Sequence, residues 1–120
     1  NEGARATSAS GATLASMATR FVPLGPADIP DGETRDYQVG EYSILVANCG
    51  GALHAIEDRC THDDGPLADG KLIGCEVECP RHGAKFDMHT GRPTALPAFR
   101  PVASYPVRVV DDVIEVEIED

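Results

Sequence analysis

The chain has 120 residues, 42% of them apolar, with 10 basic and 20 acidic side chains and a formal charge of −10 at pH 7. That length and apolar share suit one domain with a modest core, and they exclude a disordered chain. The acidity excludes nucleic acid as a partner, because phosphates need a basic stripe, and no apolar run approaches the length of a membrane span.

Residues 1–19 are mostly Ala, Ser, Thr and Gly. They read as a flexible segment, either a leader ahead of a natural start at Met17 or a native tail. No basic stretch followed by an apolar block marks a signal peptide, so a cytoplasmic location is expected. Residues 20–120 are expected to fold as one domain. Its first strand falls at residues 20–24. Residues 34–39 and 42–47 read as two strands around Gly40-Glu41, and residues 48–51 turn into a further strand at 52–58. Residues 71–78 suggest a strand or hairpin arm. Residues 84–88 suggest another, closed by the turn from His89 to Arg92. Residues 105–110 then turn through Asp111-Asp112 into 113–119, where Ile114, Val116 and Ile118 alternate with Glu115, Glu117 and Glu119. No helical period appears, so the fold class is all-β.

The four cysteines, Cys49, Cys60, Cys75 and Cys79, invite a two-disulfide reading. Secretory context is missing, however, and histidines sit among them, which points to metal. Two loops carry the pattern: Cys60-Thr61-His62, then sixteen residues, then Cys79-Pro80-Arg81-His82. Four such donors could hold a tetrahedral zinc ion, although zinc sites usually pair like with like at short spacing. One thiolate and one imidazole per loop suit two metal atoms addressed separately. In a [2Fe–2S] cluster, Cys60 and Cys79 would take one iron and His62 and His82 the other. With two thiolates the oxidised cluster carries no net charge, and reduction is easier than with four.

The stretch CTHDDGPLADGKLIGCEVECPRHGAKFDMHTGRPTALPA resembles the Rieske ferredoxin family, and the likeness runs from Phe21 to the C-terminus. The resemblance implies a Rieske-like fold of small antiparallel sheets, with a cluster-binding subdomain at about residues 59–98. It implies one [2Fe–2S] cluster ligated by Cys60, His62, Cys79 and His82, with the histidines facing redox partners. Ala95-Leu96-Pro97-Ala98 looks like the proline-bearing loop that covers the cluster. The chain is too short for a second, mononuclear iron domain. It is therefore expected to be an electron carrier rather than an enzyme, passing electrons from a flavin-dependent NAD(P)H reductase to a terminal oxygenase. Two alternatives stay open: the small Rieske subunit of an assimilatory nitrite reductase, some of which have lost ligands, and a zinc-stabilised interaction module.

Departures from the high-potential members matter too. Their extra cysteine pair is missing; the equivalent positions look like Asp64 or Gly65, and Arg81. Ala84 stands where they carry a serine that donates to a bridging sulfide. With Asp63 and Asp64 beside His62, these features place the expected potential at about −150 mV rather than +300 mV. Cys49 and Cys75 are expected to be small buried apolar residues. His54, in a strand, and His89, in a turn, are expected to do surface duty. Glu115, Glu117 and Glu119 read as a solvated face. Asp63, Asp64 and Asp69 lie where they could steer a basic partner, with Arg81 and Lys85 as counterweights.

Overall fold

The computed structural model describes residues 19–61, 63–98 and 100–119. The expectations for residues 1–18 and for His62 fall outside this range. The described residues contain eleven strands and no helix: β1 (Thr19–Pro26), β2 (Thr34–Val39), β3 (Tyr42–Cys49), β4 (Ala52–Glu57), β5 (Lys71–Ile73), β6 (Glu76–Glu78), β7 (Lys85–Asp87), β8 (Pro93–Ala95), β9 (Ser104–Tyr105), β10 (Val107–Val110) and β11 (Val113–Glu119). They form three antiparallel sheets, ordered β1-β11-β10, β2-β3-β4-β9 and β5-β6-β7-β8.

Strand β3 organises the interior. Ile44, Leu45, Val46 and Ala47 are all fully buried, because side chains alternate across a strand and both faces of this one are covered. Ile44 and Val46 join Val22, Ala55, Ile114, Val116 and Ile118 in one core. Leu45 and Ala47 join Ile56, Leu67, Val77, Phe86 and Met88 in the other, which also contains Cys60 and Cys79. The second core is the floor of the β5–β8 lobe. The alternation expected in β11 is present, with Ile114, Val116 and Ile118 inward and the glutamates outward or partly covered.

The expected arm at 71–78 is a complete hairpin, β5–β6, turning at Gly74 with a φ of 64°. The expected strand at 105–110 is interrupted at Pro106, which has no N–H to donate to a ladder. The chain changes sheets there: Tyr105 pairs with Ala55 of β4, while Val107 pairs with Val116 of β11. Asp111 and Asp112 both take positive φ, 51° and 63°, as a two-residue hairpin turn of the primed type requires. Strand β8 was not foreseen; it is three residues long, begins with proline and lies at a sheet edge, where proline is tolerated.

One expectation is corrected outright. Cys49 and Cys75 form a disulfide with a Cα–Cα distance of 5.6 Å. Alternation along β3 places Cys49 on the face of Leu45 and Ala47, towards the lobe, and Cys75 sits in the β5–β6 turn that packs there. The bond joins the β2-β3-β4-β9 sheet to the lobe.

Candidate metal centre

The two ligand-bearing loops share one backbone design. In the first, Cys60 N–H donates to Gly65 O (2.7 Å) and Asp64 N–H donates to Cys60 O (2.7 Å). In the second, Cys79 N–H donates to Ala84 O (2.6 Å) and Gly83 N–H donates to Cys79 O (3.0 Å). Each cysteine thus opens a knuckle closed by the residues four and five positions later. The fourth residue has positive φ in both, 62° at Asp64 and 78° at Gly83, a conformation that Gly and Asp tolerate better than most residues. Asp58 anchors the end of the first loop by accepting from Leu67 N–H at 2.7 Å. Burial raises the Asp58 pKa, and that amide hydrogen bond opposes the rise.

The knuckles bring the thiols together beneath the surface. Cys60 is 0% exposed and Cys79 1%, and their sulfurs and an Asp63 carboxylate oxygen all lie within 4.8 Å of one another. His82 is outside this group and half exposed, with Nδ1 3.6 Å from Asp63 Oδ2.

Asp63 is not available as a donor to metal, because Arg81 holds it. Arg81 Nε donates to Oδ2 (2.5 Å), and Nη2 donates to Oδ1 (3.2 Å) and to Pro66 O (2.9 Å). Gly65 N–H adds a bond to Oδ1 at 3.0 Å. This forked ion pair links the two loops directly. Gly65 leaves room for it, since a Cβ there would lie 2.7 Å from the guanidinium carbon. In the second loop the link falls on Arg81, the position aligned from sequence, and in the first on Asp63, just before Asp64 and Gly65.

The pairing with Arg81, expected as a local counterweight, bears on the steering role expected of Asp63. Its side chain is only 19% exposed and its charge is matched by Arg81, so it adds little to an outward field. Asp64 remains 75% exposed in its pair with Arg59 (3.0 Å), and Asp69 is exposed. Ala84 is fully buried and brings no hydroxyl to the site.

Hydrogen bonding to Arg81 and to the Gly65 amide holds the Asp63 carboxyl well below the usual carboxylate range. A depressed folded-state pKa contributes stability that is complete above the unfolded value and fades as pH falls below it. The link between the loops should therefore be intact at neutral pH and weaken below about pH 4. Asp63→Asn should lower the thermal midpoint at neutral pH and flatten its decline in acid. Thermal scans of both proteins across that range check this; parallel curves would contradict it.

A third segment is tied to the first of these loops. Thr61 Oγ1 donates to Arg100 O (2.6 Å), tying the first loop to the chain that follows the Ala95–Ala98 stretch. Val102 N–H donates to Gly91 O (2.9 Å), and Gly91 packs so tightly that a Cβ would meet Val102 O at 2.2 Å. Leu96, at the tip, is 78% exposed.

The donor set fits an iron–sulfur cluster: two buried thiols side by side, an imidazole reaching the surface, and the nearby carboxylate occupied by arginine. Such a site on an all-β scaffold defines a small electron-transfer protein. Residues 20–106 match the model of the Rieske [2Fe-2S] domain, and the chain belongs to that family. It carries one [2Fe–2S] cluster and is an electron carrier, not itself a catalyst. The chain is 39% identical over 92 residues to the ferredoxin component of biphenyl 2,3-dioxygenase from Rhodococcus jostii (strain RHA1), covering 77% of this chain and 86% of that protein. The ferredoxin of carbazole 1,9a-dioxygenase from Nocardioides aromaticivorans IC177 superposes with a TM-score of 0.76 at 33% identity, covering 80% of this chain and 95% of that one. A chain in a complex of reduced oxygenase and oxidised ferredoxin from a carbazole 1,9a-dioxygenase gives 0.75 at 33% identity, covering 80% and 91%.

Among the described residues, one other grouping lies outside the two ligand loops. The His54 and His89 rings lie 4.1 Å apart, beside the Cys49–Cys75 bond. Both histidines had been expected to do surface duty. The signal was available in part: alternation along β4 puts His54 on the same face as Ile56, towards the lobe.

Proposed function

We propose that this chain shuttles electrons from a flavin-dependent NAD(P)H reductase to a terminal oxygenase, with Cys60 and Cys79 as the inner cluster ligands and His62 and His82 as the outer ones. The pair of matching knuckles carries the assignment, because it buries two thiols together at one site and leaves His82 half exposed above them. The cluster supplies one-electron storage. The protein's own residues fix the loops, through Asp63 and Arg81, and exclude water from the sulfurs, through Leu67, Ala84 and Phe86. The oxygenase names of the relatives support an oxygenase acceptor over a nitrite reductase. Membership of the family sets aside the zinc-stabilised module as the main role. No helix among the described residues is long and apolar enough to cross a membrane, and a cytoplasmic setting fits a nicotinamide-linked donor.

Reconstitution tests the reading. Reduced nicotinamide nucleotide, a flavin reductase and a terminal oxygenase should form hydroxylated product only when this protein is added. A system that turns over equally without it, or a protein that no flavin reductase can reduce, would refute the role.

Docking is expected to use the remaining exposed acids. Replacing Asp64 and Asp69 together by Asn should slow reduction of the oxygenase severalfold at low ionic strength. The difference should nearly vanish at about 0.5 M salt, where screening acts within a few ångströms. Stopped-flow rates at several salt concentrations measure it; a salt-independent difference would rule out steering.

A further inference from the structure

A second cluster of metal-ligating side chains lies outside the site just described, at the seam between the β2-β3-β4-β9 sheet and the lobe. His54 of β4, Cys75 of the β5–β6 turn and His89 after β7 each present a ligand atom, and these atoms all lie within 4.8 Å of one another. Cys49 of β3 is bonded to Cys75 and supplies a second sulfur. Two sulfurs and two imidazoles are the donor set of a structural zinc site.

We propose that the thiol form of this quartet, Cys49, Cys75, His54 and His89, binds one zinc ion, and that the disulfide is its oxidised, metal-free alternative. The site is formed from four separate segments that the fold already holds together, so binding needs side-chain adjustment rather than backbone rearrangement. The support around it is that of a metal site. Asp87 Oδ1 lies 3.0 Å from His89 Nδ1 and also accepts the His89 backbone N–H at 2.8 Å. A carboxylate on Nδ1 fixes the tautomer and leaves the Nε2 lone pair for metal. Burial works against ionisation of Asp87, but the bonds from His89 outweigh it and its carboxyl stays below the ordinary range. Burial, and then the neighbouring His89, push the His54 pKa down, which favours the neutral ring that a metal needs.

The interconversion balances. A dithiol reductant donates two electrons and two protons, the Cys49–Cys75 S–S bond breaks, and the reductant leaves as its own disulfide. Zinc then displaces the two thiol protons, and the neutral imidazoles complete the four-coordinate shell. In a reducing compartment, where disulfides rarely persist, the thiol form would predominate.

The test uses the cluster-loaded protein. Oxidised and phosphine-reduced samples are equilibrated with zinc under anaerobic conditions, passed over a chelating resin, and analysed for zinc and iron. One zinc per chain is expected in the reduced sample and none in the oxidised one, with iron unchanged in both. Zinc-edge X-ray absorption should show sulfur neighbours at about 2.3 Å and nitrogen neighbours at about 2.0–2.1 Å. His54→Ala and His89→Ala should each bring zinc to background, and Asp87→Asn should weaken binding about 10–100-fold. Retained iron shows that a variant has folded; if the alanine variants lose iron, His54→Gln and His89→Gln replace them. Equal zinc in both redox states, zinc that persists without either histidine, or zinc gained only as iron is lost would each overturn the proposal.

Discussion

Cys79→Ala should give a colourless protein with iron reduced to near zero but with its β-structure retained. Two features make this the largest functional effect expected of a single change. Cys79 is one of only two thiols beside the cluster position, since Cys49 and Cys75 are engaged elsewhere, so no neighbouring sulfur can replace it. The knuckle itself survives, because its closing bonds, from Cys79 N–H to Ala84 O and from Gly83 N–H to Cys79 O, use only backbone atoms. Iron and acid-labile sulfide analysis, with far-ultraviolet circular dichroism as the fold check, measures the outcome. A folded variant that keeps both irons would remove Cys79 from the ligand set and with it the present assignment.

Phe86→Ala should have the largest effect on stability. Among the described residues Phe86 is the bulkiest fully buried side chain, and it lies in the core that also contains Cys60, Leu67, Cys79 and Met88. Its removal leaves a cavity beneath both knuckles and is expected to cost about 3–5 kcal/mol. A domain of this size has a total stability of roughly 5–15 kcal/mol, so much of the margin would go. Denaturant unfolding followed by circular dichroism gives the loss directly, and iron retention at room temperature should fall with it. A loss below about 1 kcal/mol would mean that the lobe refills the space and that the floor is less rigid than its packing implies.

How much of this was legible beforehand depended on distance along the chain. The two ligand loops could be read because each is a local string, with cysteine, histidine and turn residues within a few positions. The inward face of β11 could be read for the same reason: Ile114, Val116 and Ile118 alternate without interruption. The Cys49–Cys75 bond could not. It depends on which face of β3 meets the β5–β6 turn, and that becomes fixed only once three sheets have packed. The His54–His89 contact has the same origin, with one ring on β4 and the other beyond β7. The Asp63–Arg81 link was only half legible: Arg81 is the position equivalent to a cysteine of the high-potential members, whereas its partner is Asp63 and not Asp64 or Gly65. Pro106 was visible in the sequence, but its effect on a stretch that otherwise reads as one strand became clear only from the partners on either side.

Because β3 presents Ile44 and Val46 to one core and Leu45 and Ala47 to the other, neither half of the molecule possesses a complete interior of its own. Melting the β1-β11-β10 side would strip one flank of the wall on which the cluster-bearing half rests. The protein should therefore lose its metal and its terminal strand pairing in a single cooperative event, so that damage far from the iron still threatens its retention.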